Sequence, residues 1–219
     1  MLFSKDTKII FIAVPKTGTT SIEKAICKLD QGILRNKIIL ETGEIISVNK
    51  HIKISELEKL LGDSASDFKY FAFIRDPKEH VFSRYRFYKI GRAAERATSK
   101  KNHVPNLKLK TWLAQKLPFV LWLFIYPLRT QTRFIKKQNQ SISLYIGRFE
   151  NINSDIKKML DLMGYRYDDF NLPLINRSPT LNLSKKENFW LSIIVNIKLY
   201  RDIALHKKIN NISFENWRE

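Results

Sequence analysis

The chain has 219 residues with 44% apolar content, enough for one packed domain and too apolar for a disordered one. Its 39 Lys and Arg against 21 Asp and Glu give a net charge of +18, which points to anionic partners. Cys27, the single cysteine, excludes a disulfide framework or a multi-thiolate metal site within the chain and reads as a small core residue of a helix.

In chain order, KIIFIAV (8 to 14) is a short apolar run rich in β-branched residues, as expected of a strand buried on both faces of a parallel sheet. After VPKTGTTS, Ile22, Ala25, Ile26 and Leu29 recur at helical spacing. The segment 36 to 48 predicts either a strand pair or a strand with a turn at Thr42-Gly43, followed by an amphipathic helix on Ile54, Leu57, Leu60 and Leu61, capped by Ser55 and ended by Gly62. YFAFI (70 to 74) predicts another strand, and Pro77 the start of a helix running through KEHVFSRYRFYKI. Residues 91 to 106 read as a basic loop broken by Pro105, and LKLKTWLAQKL as a helix. SLYIGRF (143 to 149) is a strand candidate leading into a helix with Ile156, Met159, Leu160 and Met163 inward. LPLINRSPT reads as a loop, and residues 188 to 209 as one closing helix. Strands alternating with helices predict a single α/β domain over residues 1–219, with a central parallel sheet flanked by helices.

The apolar stretch LPFVLWLFIYPL (117 to 128) has 12 residues, too few for the roughly 20 of a membrane-spanning helix. It reads either as a core helix or as a patch that touches a membrane peripherally. The opening residues lack the pattern of a secretory signal, so the expected location is cytoplasmic.

The loop between the first apolar run and its helix carries the chemistry. A strand feeding a helix through a short loop aims backbone N–H groups at an anion, where the helix dipole is also positive. Lys16 adds a point charge, Gly18 permits close approach, and Thr17, Thr19, Thr20 and Ser21 bring hydroxyl donors. Unlike the nucleotide-binding P-loop, in which the lysine follows the second of two glycines, here Lys16 precedes a single one. Pro15 to Ser21 instead resembles the 5′-phosphosulfate loop of sulfotransferases, enzymes that use 3′-phosphoadenosine 5′-phosphosulfate (PAPS). FAFIRDPKEHVFSRYRF is similar to that family's second signature, in which a strand ends in Arg-Asp-Pro and a serine follows eight residues after the arginine; Arg75 and Ser83 have that spacing. GRFENINSDIKKMLDLMG, LINRSP and IKLYRDIALH continue the likeness in order along the chain, with a flavour of the carbohydrate branch that includes heparan sulfate 2-O- and chondroitin sulfotransferases.

The resemblance implies a P-loop-like sulfotransferase fold and transfer of a sulfonate group from PAPS to a hydroxyl, leaving 3′-phosphoadenosine 5′-phosphate (PAP). It implies that Lys16 stabilises the bridging oxygen and the leaving phosphate, that residues 15 to 20 cradle that phosphate, and that Ser21 caps the helix and touches the same phosphate. Arg75 and Ser83 are expected at the 3′-phosphate, with Arg177 and Ser178 completing the cofactor cleft. His51 stands where relatives carry a catalytic histidine and is the expected general base; Glu41 and Glu44 are the alternatives. No metal is implied. The expected acceptor is a carbohydrate or glycolipid, with a basic track of Arg84, Arg86, Lys89, Arg92, Arg96, Lys100 and Lys101 beside the cleft or merely solvated. Rival readings are a P-loop-type kinase using ATP and a basic nucleic-acid-binding protein without catalysis; specific nucleic acid is not expected.

Overall fold

The chain opens on a strand that its sequence does not announce, β1 (Leu2–Ser4), which runs antiparallel to β2 (Ile9–Ile12) and pairs on its other side with β3 (Leu34–Arg35). The computed structural model describes residues 1–90, 107–165, 172 and 182–210. Contacts divide the chain into two compact units: Met1–Arg75 with Thr130–Ile175 and Ala204–Glu219, and Asp76–Arg129 with Asn176–Ile203.

The first unit holds a five-stranded sheet in the order β3-β1-β2-β6-β7, where β6 is Lys69–Ile74 and β7 is Ser143–Arg148. β2, β6 and β7 pair in parallel, as expected of apolar runs covered on both faces, whereas β1 joins antiparallel at one side. The period of two sorts their side chains. Ile9, Phe11, Phe71 and Phe73 point to one face, where they meet Ile22, Ala25 and Ile26 of α1 (Thr19–Leu29) and Ile156, Met159 and Leu160 of α7 (Ile152–Leu162). Ile10, Ile12, Tyr70, Ala72 and Ile74 point to the other, against Ile54, Leu57 and Leu61 of α2 (Ile54–Leu61). Phe134 and Ile135 of α6 (Thr132–Ile135) and Leu205 and Ile209 from the last helix complete that layer. Gly147 in β7 is required because a Cβ there would stand 2.5 Å from the Phe73 ring. The result is a mixed α/β fold with a mostly parallel central sheet.

Of the two readings of the 36 to 48 segment, the strand pair holds: β4 (Lys37–Ile39) and β5 (Ile45–Ser47) form a hairpin turning through Gly43 at φ +83°. Ser55 does not cap α2: the N-cap is Lys53, whose backbone N–H donates to the Glu56 carboxylate, while Gly62 ends the helix as predicted.

The second unit is helical among the described residues. It contains α3 (Pro77–Lys89), α4 (Leu107–Lys116), α5 (Phe119–Ile125) and α8 (Lys185–Lys198), packed around Phe82, Tyr85, Phe119, Trp122, Leu191 and Val195. Pro77 sits at the first turn of α3 behind the Asp76 cap, which accepts from the N–H groups of Lys78 and Glu79 at 3.0 Å. The predicted single closing helix is two, α8 and α9 (Tyr200–Asn210), separated at Leu199, whose φ of −125° leaves the helical range. No glycine or proline marks that break. The predicted loops at 91 to 106 and 173 to 180 lie outside the described residues.

Candidate active site at the carboxyl ends of the parallel strands

Because β2, β6 and β7 run in parallel and are neighbours, the segments leaving their carboxyl ends emerge along one edge of the sheet, where open α/β sheets bind ligands. From β2 comes the loop ending at α1, from β6 comes Arg75, and from β7 comes Phe149.

The loop is shaped by its own residues. Val14 N–H returns to the Ile12 carbonyl at 3.0 Å, and the Thr17 hydroxyl donates to the Val14 carbonyl at 2.9 Å. Thr17 is fully buried, so its side chain builds the loop, and its backbone N–H is the group left for an anion. Lys16 has φ +70° and Gly18 φ +73°. A left-handed conformation is natural for glycine but strained for lysine, a cost met at functional loops where geometry matters more than local stability. Gly18 is the N-cap of α1, no side chain caps that terminus among the described residues, and its first turn holds no acidic residue. Ser21 is therefore not the cap: it lies inside the first turn, its N–H bonded to the Gly18 carbonyl at 2.9 Å. An uncapped helix N-terminus beside a lysine suits an anion.

Arg75 is held at backbone and side chain. Its N–H donates to Gln131 Oε1 at 2.9 Å, while Gln131 Nε2 donates back to its carbonyl at 2.7 Å. Its guanidinium lies 4.5 Å from the centroid of the Phe149 ring. The same ring closes over Gly18, where an added Cβ would come within 2.9 Å of it. Phe149 thus contacts both the loop and Arg75. Stacking uses the face of the guanidinium, not its edge, and so is compatible with a fork of N–H bonds to phosphate.

His51, between β5 and α2, reaches the same edge. Its Nδ1 lies 2.5 Å from the Ala13 carbonyl, just past the end of β2. A carbonyl only accepts, so Nδ1 carries the proton and Nε2 the lone pair of the neutral ring. Burial holds the imidazole below its ordinary value, helped by Lys50 and the Met1 amine and opposed by the Ala13 hydrogen bond. The segment is tied to α1 by Lys50, whose Nζ meets Glu23 Oε2 at 2.7 Å. Glu23 is buried, which alone would raise its carboxyl, but the Met1 amine at 2.7 Å and Lys50 hold it below the usual range.

Ser83 is buried on α3 in the second unit, and Arg177 and Ser178 lie outside the described residues. Glu41 accepts from Ser64 N–H at 3.2 Å on the exposed hairpin, beside Glu44. His206 faces Glu150 at 3.6 Å, and His80 is buried on α3. The described members of the basic track serve packing as much as charge: Arg84 is buried, Arg86 lies over Phe82, and Lys89 donates to the Gln115 carbonyl. Sequence reasoning missed Gln131, which carries no local signal, and the Glu23–Lys50 pair, whose partners are 27 residues apart. Phe149 stood within a segment singled out, without a role of its own.

The fold and this edge define an α/β protein that carries a strand–loop–helix with an uncapped helix start and an arginine at one edge of its sheet. A family model, the sulfotransferase family, matches residues 1–191, and the chain belongs to that family, whose enzymes transfer sulfonate groups and generally take them from PAPS. No curated protein and no solved structure matches significantly.

Proposed function

We propose that the protein transfers the sulfonate group of PAPS to a hydroxyl of a carbohydrate or glycolipid by in-line displacement. The observation that carries this reading is the contact of Phe149 with both Gly18 and Arg75, which ties a phosphate-type loop to a guanidinium at one sheet edge. The 5′-phosphosulfate belongs at residues 15 to 20 and the 3′-phosphate at Arg75; the parts of Ser83, Arg177 and Ser178 rest on the motifs alone.

In the transfer, the acceptor oxygen forms a bond to sulfur as the bond from sulfur to the bridging oxygen breaks. The electron pair stays on that oxygen, giving PAP, and Lys16 with the first-turn N–H groups of α1 offsets its charge. The hydroxyl proton passes to His51 Nε2, the lone-pair nitrogen set by the Ala13 hydrogen bond. The carbohydrate assignment follows the motifs shared with the carbohydrate branch.

Calorimetric titration of PAP, with ATP as the competing ligand, tests the reading. Wild type is expected to bind PAP in preference to ATP. Lys16→Ala and Arg75→Ala should each weaken PAP by about 10- to 100-fold, the size of a lost charge-assisted hydrogen bond. Preference for ATP would establish the kinase alternative, and binding of duplex or single-stranded nucleic acid unaltered by Lys16→Ala would establish the other.

A further inference from the structure

The second unit presents an apolar face that its own core does not use. On α5, Phe119, Trp122 and Leu123 are buried, whereas Leu121, Phe124 and Ile125 are exposed. A helix with apolar residues all round is buried on every side or meets a second apolar medium. α8 repeats the pattern: Leu191, Ile194 and Val195 face the core, while Phe189 and Ile197 are 60% and 71% exposed. At 100° per residue, Phe189, Trp190, Ile193 and Ile197 occupy a single arc turned away from that core. The two outward faces are continuous. Phe124 and Trp190 have ring centroids 5.8 Å apart, Phe189 and Trp190 5.7 Å apart, and Lys198 Nζ donates to the Phe124 carbonyl at 2.8 Å.

Charge decides the occupant. The second unit carries seventeen Lys and Arg against five Asp and Glu, so two thirds of the chain's net +18 resides in its smaller part. No acidic residue occurs between Glu95 and Glu150, the stretch that contains α4 and α5. On α8, Lys185, Lys186 and Lys198 accompany the apolar arc, and the nearby Glu187 carboxylate is turned onto its own helix start, accepting from Ser184 N–H at 2.8 Å. An apolar, aromatic face with a cationic surround repels a second copy of itself and matches an anionic lipid surface, into which aromatic rings insert while lysines remain among the headgroups. Among the described residues no helix is long and apolar enough to cross a membrane, so such contact is peripheral.

We infer that α5 and α8 together form a docking face for anionic membranes, with Phe124, Ile125, Phe189 and Trp190 entering the interface. The inference does not depend on the reaction proposed above.

The full chain would be co-sedimented with vesicles of phosphatidylcholine alone and of phosphatidylcholine and phosphatidylglycerol in equal parts, while tryptophan emission is recorded. The expected result is binding to the anionic vesicles alone, a blue shift on binding, and at least a tenfold loss of partitioning in Phe124→Ser/Phe189→Ser. These side chains are exposed, and unchanged thermal unfolding would verify that the variant folds. Lys16→Ala should bind vesicles as wild type does, which separates this face from the anion loop. Absence of binding, binding that survives Phe124→Ser/Phe189→Ser, or a wild-type dimer that this double variant converts to monomer would overturn the inference.

Discussion

Gly18 and His51 show how single residues translate backbone geometry into chemistry. Gly18→Ala would place a Cβ at φ +73° and within 2.9 Å of Phe149, so a loss of about 1 to 2 kcal/mol from the backbone alone is expected, seen as a lower unfolding midpoint. Because Phe149 also carries Arg75, PAP affinity should fall with it. His51→Asn preserves a donor at the place of Nδ1, able to hold the Ala13 carbonyl, and removes Nε2. It is expected to lower kcat by about 10²- to 10⁴-fold while leaving PAP affinity near wild type. The pH dependence has a definite sign. In the proposed transfer the neutral ring is the active form, and burial keeps its pKa below the ordinary 6.5, so activity should persist at pH 6.5 and decline only on further acidification. A rate already halved above pH 6.5 would exclude His51 as the titrating base.

At the scale of elements, the joint between α1 and the segment bearing His51 is an ion pair rather than an apolar contact. Glu23 is 1% exposed and holds both Lys50 and the Met1 amine, so removing its charge leaves two cations without their carboxylate. Glu23→Gln is expected to cost about 3 kcal/mol, measured by chemical denaturation at pH 7. The folded carboxyl titrates below its ordinary 4.5, so its contribution is present above that pH and is lost as pH falls through the folded value. The difference between wild type and Glu23→Gln should therefore shrink in acid; a constant difference from pH 7 to 3 would contradict the pairing. Much of this level was legible in the sequence. β2, β6, β7, the β4–β5 hairpin, α1 and α7 follow from apolar runs and helical spacing. β1 was not, since three residues are too few for a period of two to register. The break at Leu199 was not either, because the apolar spacing runs on through it.

Across the whole molecule, the excess of positive charge acts at a distance on anionic ligands. PAP affinity is expected to weaken steadily as salt rises, since charges beyond about 10 Å are screened at 0.1 M. Calorimetry in increasing sodium chloride would check this, with a shallower slope in Lys16→Ala and no slope at all counting against an electrostatic cleft.

Local chemistry in the sequence determined the loop at 15 to 21, the Arg75 strand end, the family and the parallel core of the sheet, because each rests on residues close together in the chain. Only the tertiary structure decided that Phe149 joins Gly18 to Arg75, that the Ala13 carbonyl selects the lone-pair nitrogen of His51, and that α5 shares its exposed face with α8. Those contacts join strand ends and helices far apart in sequence, where hydrophobic period and residue type carry no information about which partner will be met.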